Sequence, residues 1–133
     1  LHSYVAIIIY IYDISSVMPK LIALICKKPE ISEEDFQSYY EHKHVPLIQN
    51  LFPMLADYKR TYLSSSKLLY GELSLHPNNT VSSCDVITEL FFNDDEQLNL
   101  FMELAARDDI VDIIRNDESN FLDSDKTIMY QVE

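Results

Sequence analysis

Apolar and polar residues recur with two different periods along this chain, and those periods predict four strands and two helical regions. The uninterrupted apolar run KLIALICK, residues 20–27, is typical of a buried strand. In DYKRTYL, residues 57–63, Tyr58, Arg60 and Tyr62 alternate with Lys59, Thr61 and Leu63. CDVITELFF, residues 84–92, also alternates, and both patterns are typical of strands. KTIMYQV, residues 126–132, is the fourth predicted strand.

The first helical region is predicted from ISEEDF, where a serine is a good N-cap and three acidic residues follow in the positive first turn. Phe36, Tyr40 and His44 recur every fourth residue, so they share one helix face. Pro46 disfavours helical geometry at the residue before it. We therefore expect the helix to kink or end around residues 42–45, with a second short helix opening at the proline.

The second helical region follows the third strand. NDDEQ provides a capped, acidic start. Apolar residues then recur at the i, i+3, i+4 and i+7 positions of a helix: Leu98, Phe101, Met102 and Ala105. Three isoleucines indicate a further helical piece: Ile110, Ile113 and Ile114.

The order of elements is β-α-β, a long loop over residues 64–83, then β-α-β, which predicts an α+β fold of the ferredoxin-like, split βαβ type. In that fold two helices cover one face of the sheet. The strands nevertheless carry apolar or aromatic residues on both faces, and a partner subunit is the simplest cover for the second, so we expect a homodimer. A loop of this length in a compact domain is often a lid or a binding loop.

The N-terminal stretch is interpreted separately from the domain. YVAIIIYIY, residues 4–12, is too short to span a bilayer as a helix and lacks the basic region of a signal peptide. We expect residues 1–17 to be an appendage or an extra edge strand, and residues 18–133 to form one domain.

Composition excludes several partner classes. A single glycine, Gly71, argues against the glycine-rich loops that hold nucleotide phosphates. The formal net charge of −12 repels nucleic acid and anionic membranes, so neither is an expected partner. Cys26 and Cys84 lie far apart without zinc-binding spacing, and we expect a reduced, cytoplasmic protein. An anionic substrate would need a basic patch, for which three cations are candidates: Lys43, Lys59 and Arg60.

YYEHKHVPL, residues 39–47, holds two histidines two positions apart. Such a pair suits a metal on a strand, where both side chains face one way, but on a helix residues two apart point about 200° apart. No cysteine or further histidine lies at ligand spacing nearby, so no metal site is expected. We expect His42 to face solvent and His44 to face the core or a pocket.

A histidine titrates near neutral pH and can take or give a proton, so His44 suits two chemistries on an electron-rich phenolic. Removing a proton gives a carbanion or phenolate that reacts with oxygen. Alternatively, loss of CO₂ leaves a carbanion that a protonated histidine quenches. Hydroxyls of Tyr40, Tyr58 or Tyr62 could hydrogen-bond a developing oxyanion. The competing interpretation is a structural histidine that holds the kink before Pro46 by a backbone hydrogen bond.

One of two acidic pairs could supply a carboxylate to this histidine. Asp85 and Glu89 share one face of a predicted strand, and an inward carboxylate could polarise His44, but we favour an outward, solvated orientation. Asp117 and Glu118 are expected to cap a turn or to pair with a nearby arginine.

The motifs together resemble those of one family. KKPEISEEDFQSYYEHKHVPL resembles the opening signature of EthD-domain proteins, from a basic–proline turn through a capped helix to histidine, a small residue, proline and leucine. DYKRTYL and DVITELFF are similar to the second and third strands of that family, and NDESNFLDSDKTIMYQVE to its ending. The resemblance covers about residues 19–133, and it is strongest to the fungal EthD-like proteins of aromatic polyketide pathways.

The resemblance implies a dimeric α+β barrel, in which the sheets of two ferredoxin-like protomers face each other and each protomer holds a pocket between sheet and helices. It also implies catalysis without a metal or organic cofactor, with His44 as the matched histidine and Asp117 in the matched acidic pair near the end. The expected catalytic residues are His44 and Tyr40. The expected substrate-binding residues are Phe36, Tyr58, Tyr62 and Arg60.

Three functions are compatible with these features. The first is a cofactor-independent tailoring enzyme of EthD type, oxidoreductase-like, that acts on an aromatic polyketide or phenolic by histidine-mediated proton transfer. The second is a decarboxylase of a polyketide carboxylic acid, which would use the same histidine. The third, from another class, is a non-catalytic small-molecule-binding accessory protein on the same fold.

Overall fold

In the computed structural model, residues 18–71 and 84–133 are described, and they form one four-stranded sheet with its helices. The predicted appendage, residues 1–17, and most of the predicted lid loop lie outside the described residues. The elements in chain order are β1 (Lys20–Ile25), α1 (Glu33–Tyr39), a π-helical turn (Tyr40–His44), α2 (Val45–Leu51), β2 (Asp57–Tyr62), a 3₁₀ turn (Ser65–Lys67), β3 (Val86–Phe91), α3 (Asp95–Ala105), α4 (Asp108–Glu118) and β4 (Ile128–Gln131).

The sheet order is β2-β3-β1-β4, and every neighbouring pair is antiparallel. This order, with helices between β1 and β2 and between β3 and β4, is that of the ferredoxin-like fold. The predicted α+β class is therefore confirmed. All four predicted strands are present, each shorter than predicted by one to three residues.

The two faces of the sheet differ in what covers them. Leu21, Ala23 and Ile25 of β1 are buried on one face, where they join helix residues in a single core. Ile128 and Tyr130 of β4 lie on the other face, beside the alternate residues of β1, and they are 46% and 59% exposed. The strands thus carry apolar side chains on both faces, as predicted, and the core of the described residues lies against only one of them.

The first helix begins as predicted, with the Asp35 amide donating to the Ser32 hydroxyl at 3.0 Å. The predicted kink or end of the helix before Pro46 is not what the structure shows. Helical winding continues, but residues 40–44 form a wide turn in which the Val45 amide bonds to the carbonyl of Tyr40, five residues back. Pro46 has no N–H, and its ring would collide with the carbonyl four residues back in an α-helix, so a wider turn accommodates it without breaking the helix.

The second helical region also matches its prediction. The amide of Gln97 donates to the Asp94 side chain at 2.9 Å, and this caps α3, which α4 then follows. The connection after α4 docks on the end of β1, since the Lys28 amide donates to the Phe121 carbonyl at 2.9 Å. No helix among the described residues is both long enough and apolar enough to cross a bilayer.

A buried hydroxyl junction fixes the first helix on the sheet. The Tyr40 hydroxyl lies 2.5 Å from the Thr88 hydroxyl on the central strand β3. The Tyr58 hydroxyl on edge strand β2 donates to the Tyr40 hydroxyl at 3.3 Å. All three residues are buried, so each proton in the junction needs a partner inside the protein.

We expect Thr88→Val to lower the free energy of unfolding by about 1–3 kcal/mol, because the junction would keep its two tyrosine protons but lose the threonine acceptor. Urea unfolding followed by circular dichroism measures this loss. The matched control is Thr61→Val, an exposed threonine of β2, for which a change within about 0.5 kcal/mol is expected. Equal losses in the two variants would show that the junction contributes nothing particular.

Candidate active site

The π-helical turn places the two histidines in opposite environments. His44 is buried, at 7% exposure, and it faces the core together with Tyr40. His42 is exposed, and its Nδ1 lies 2.9 Å from the Ser38 carbonyl on its own helix. The predicted separation of the pair by helix geometry is therefore confirmed.

A carboxylate from the other half of the chain holds His44. Oδ2 of Asp117, in the last turn of α4, lies 2.6 Å from Nδ1 of His44, across 73 positions of sequence. The expectation that Asp117 caps a turn or pairs with an arginine is wrong, since both of its carboxylate oxygens are used within this site. A hydrogen bond of this length to an ionised group is charge-assisted and strong.

The other predicted carboxylates are engaged elsewhere. Glu89 lies on the sheet face away from the helices and pairs with Lys20 at 3.0 Å. Asp85 accepts a hydrogen bond from the Lys27 amide at 2.8 Å. Glu89 has the outward orientation that we favoured, whereas Asp85 is partly buried and lines a cavity with Phe36 and Tyr62.

Two residues that the sequence interpretation did not assign to the site extend the contact. The Tyr39 hydroxyl donates to Oδ1 of Asp117 at 2.9 Å. Nδ2 of Asn120 donates to the Tyr39 hydroxyl at 3.0 Å. The signals for them were the first tyrosine of the YYEHKH stretch and the polar run NDESN before Phe121, but neither shows the contact without the fold.

Aromatic rings enclose the imidazole. The ring centroids of Tyr40 and Phe121 each lie 5.0 Å from that of His44. Burial lowers the pKa of His44 below its usual value, and the Asp117 carboxylate opposes that shift without cancelling it. The imidazole is therefore neutral at neutral pH, which is the form that accepts a proton.

The second ring nitrogen, Nε2, is the one that is open to the surface. The hydrogen bond of His44 is made by Nδ1, and in residues 18–71 and 84–133 no buried side-chain nitrogen or oxygen lacks a hydrogen-bond partner. Since Nε2 has no such partner, it reaches the accessible surface. With Nδ1–H donated to Asp117, Nε2 carries the lone pair.

Tyr40, expected to be catalytic, contacts His44 through its ring while its hydroxyl is turned to the sheet. That hydroxyl is committed to Thr88 and Tyr58, and the residue is 0% exposed. Burial raises the pKa of Tyr40, so it stays protonated. The geometry gives it the position of a wall beside the imidazole.

The expected substrate-binding residues fall into two groups. Phe36 and Tyr62 line a cavity of about 230 Å³ at the start of α1, together with polar side chains that include Lys67 and Asp85. The Tyr62 ring packs 5.9 Å from that of Tyr40, so this cavity is separated from His44 by the Tyr40 ring. Tyr58 lies beneath that ring in the hydroxyl junction.

Arg60, the fourth of these residues, is already paired. Its Nε and Nη2 each donate to the Glu41 carboxylate at 2.8 Å, and this pairing lowers the pKa of Glu41. Lys59 points to the opposite sheet face, 5.2 Å above the ring of Phe91. The basic patch expected from Lys43, Lys59 and Arg60 therefore does not form, because alternate strand residues face opposite ways.

Metal chemistry was not expected from the sequence. Across the two described segments, no group of three or more histidine, cysteine, aspartate or glutamate side chains lies close enough to hold a metal ion.

Known proteins resemble this chain in sequence and in fold. An ethyl tert-butyl ether D (EthD) family protein from Bacillus halodurans is 25% identical, with a TM-score of 0.55 over 87% of this chain and 97% of that chain. A dimeric, ferredoxin-like protein from Bacteroides fragilis has a TM-score of 0.52 at 9% identity, over 87% of this chain and 95% of that chain. A hydroxynitrile lyase from Passiflora edulis has a TM-score of 0.50 at 10% identity, over 89% of this chain and 95% of that chain.

The last two likenesses show the fold alone. No curated protein matches the chain significantly. The match to a family is direct, because residues 28–125 correspond to the EthD domain. This span includes His44, Asp117 and every other residue of their hydrogen-bonded site. The chain belongs to the EthD domain family.

Proposed function

We propose that the protein is an enzyme that transfers a proton through His44 during the oxidation of an aromatic polyketide or similar phenolic, without a metal or organic cofactor. The observation that carries this proposal is the imidazole itself. Its Nδ1 lies 2.6 Å from a carboxylate, its ring is enclosed by aromatic side chains, and its Nε2 is accessible. A base oriented by a carboxylate in this way is typical of proton-transfer sites.

The proposed first step is removal of a proton from the substrate by Nε2. The Asp117 carboxylate stabilises the imidazolium that forms. The resulting carbanion or phenolate is electron-rich and reacts with molecular oxygen. Phe121 and Tyr40 support this step by keeping water from the imidazole and holding its plane.

Two observations favour oxidation over decarboxylation. The lowered pKa of His44 leaves it unprotonated at neutral pH, whereas quenching the carbanion after CO₂ loss needs the protonated form. Arg60, the cation expected to hold a substrate carboxylate, is neutralised by Glu41. A decarboxylase on this fold remains the second candidate, since the same nitrogen serves both steps.

The aromatic substrate class rests on the sequence. The segments YYEHKHVPLI, DVITEL and DESNFLD are similar to those of fungal EthD-like proteins of aromatic polyketide pathways. Aromatic rings around His44 would suit a planar phenolic.

A homodimer is part of the proposal. The sheet face away from the core carries Ile22 and Leu24 of β1 beside Tyr130 and Ile128 of β4, an apolar surface on an otherwise highly charged chain. Such a face marks an interaction site, and a second copy would bury it by symmetry. The ferredoxin-like relative from Bacteroides fragilis is described as dimeric.

Replacing His44 should abolish turnover, whereas replacing His42 should leave turnover unchanged. With a hydroxylated anthrone as probe, we expect His44→Asn to reduce oxygen uptake by roughly 10²–10⁴-fold, the usual contribution of a general base. The matched control, His42→Asn, should keep wild-type activity. The corresponding polyketide carboxylic acid is tested in parallel for CO₂ release. Tight binding of both probes without turnover would favour an accessory protein and overturn the proposal.

The pH dependence separates the two chemistries. Because His44 acts unprotonated and its folded-state pKa lies below the usual value of about 6.5, kcat/KM should rise with pH through that pKa and be flat at neutral pH. A decarboxylase that uses the protonated form would lose activity over the same range. Asp117→Asn removes the interaction that opposes burial, so its acidic limb should move to lower pH.

The dimer can be tested on one strand. We expect Tyr130→Lys to shift the protein towards the monomer in light scattering, because it places a charge on the apolar face. The matched control is Met129→Lys, which alters an equally exposed residue on the opposite side of β4. A monomeric wild-type protein would disprove this part of the proposal.

A further inference from the structure

A chain of hydrogen bonds continues beyond His44 to the surface of α4. It runs from Asn120 Nδ2 to the Tyr39 hydroxyl, from there to Asp117 Oδ1, and from Asp117 Oδ2 to His44 Nδ1, with lengths of 3.0, 2.9 and 2.6 Å. The general-base proposal uses only the last of these contacts. Any effect of the Asn120–Tyr39 and Tyr39–Asp117 contacts on turnover rests on the proposed function. Their effect on the position of the His44 proton does not.

The first donor fixes the direction of the hydrogen bond between Tyr39 and Asp117. Nδ2 of Asn120 also lies 3.1 Å from the carbonyls of Asn116 and Asp117. An amide nitrogen can only donate, and a flipped amide would place its oxygen against those two carbonyls. Because Nδ2 cannot accept, the Tyr39 hydroxyl directs its own proton to Asp117, and its oxygen is the nearest of the three acceptors around the two amide hydrogens.

The consequence reaches the imidazole. An ionised carboxylate can only accept, so Asp117 accepts from Tyr39 through Oδ1 and from the imidazole through Oδ2. The partner nitrogen, Nδ1 of His44, must then carry the hydrogen. We propose that Tyr39 and Asn120 are positioning residues that hold Asp117 in this orientation and thereby keep the lone pair of His44 on Nε2.

The parts of this hydrogen-bond chain are anchored independently of His44. The Tyr39 ring is stacked on that of Phe121 at 5.0 Å and 28°, and the Phe121 carbonyl is tied to the Lys28 amide. Burial is the main cause of a raised pKa of Tyr39, with Asp117 contributing, so the hydroxyl keeps the proton that it donates.

The groups that face His44 come from three elements. Asp117 of α4 is the charged one, and Glu118 beside it has a pKa raised first by burial and then by Asp117. Tyr40 contributes a ring from the π-helical turn that also contains His44, and Phe121 contributes a ring from the connection after α4. The carboxylate of Asp117 is therefore the route by which Tyr39 can influence the imidazole.

The test is a nitrogen-detected NMR titration of the histidine rings, which needs no substrate. In the wild type, His44 should be found with Nδ1 protonated and Nε2 bare at neutral pH. Tyr39→Phe keeps the stacked ring and removes one donor from the carboxylate, which becomes a stronger acceptor for the imidazolium. We expect the pKa of His44 to rise by about half a unit, the size of one modest hydrogen bond.

Further variants separate positioning from packing. Asn120→Ala frees the Tyr39 hydroxyl to turn away, so a smaller shift in the same direction is expected. Tyr130→Phe, which removes a hydroxyl from the far face of the sheet, should leave the His44 titration unchanged. His44→Asn assigns the resonance, and unfolding curves confirm that each variant is folded.

The outcome is decided by Tyr39→Phe. An unchanged or lowered pKa of His44 in this folded variant, or a wild-type His44 with its proton on Nε2, would overturn the positioning role. Failure of the enzyme proposal is seen separately, as absent turnover with the anthrone. If both hold, the acidic limb of kcat/KM should move to higher pH in Tyr39→Phe while KM changes little.

Discussion

The inability of Pro46 to lie in the interior of a continuous α-helix is the constraint on which the rest of this structure depends. A ring in place of an N–H would either stop the helix or force its carbonyls apart, and here one wide turn absorbs the conflict between Tyr40 and His44. Tyr40 and His44, at the two ends of that turn, are both buried. π-Helical turns are frequent at functional sites because they aim side chains that a regular helix would not.

The fold could be predicted because its signals are local. Alternation and four-residue spacing are written in each segment, and their order selects the ferredoxin-like arrangement. The errors in the prediction lie at the ends of the strands, where contacts with distant parts of the chain decide the backbone path. β1 was expected to continue to residue 27, but Lys27 instead makes an isolated bridge with Leu122 and donates its amide to Asp85, so the chain leaves the ladder early.

The site could be predicted only in part, for the same reason. The inward face of His44 follows from helix geometry, and it was found. Its carboxylate partner was missed because Asp117 lies 73 positions away, at the end of a helix whose sequence pattern says only that the helix stops there. Likewise, Tyr40 was preferred to Tyr39 as the site tyrosine because a single helix has one inward face. In the structure, Tyr39 contacts Asp117 of α4, which packs beside that helix.

The place of Asp117 on its helix has a cost for the fold. Asp108 and Asp109 lie in the first turn of α4, where the helix dipole favours negative charge, but Asp117 lies in the last turn, among carbonyls that repel it. Glu118 adds a second acidic group beside it. The helix dipole therefore disfavours a carboxylate at position 117, and the hydrogen bonds from His44 and Tyr39 offset that cost. Position 117 is thus one where the end of the helix and the pairing of His44 make opposite demands on the same side chain.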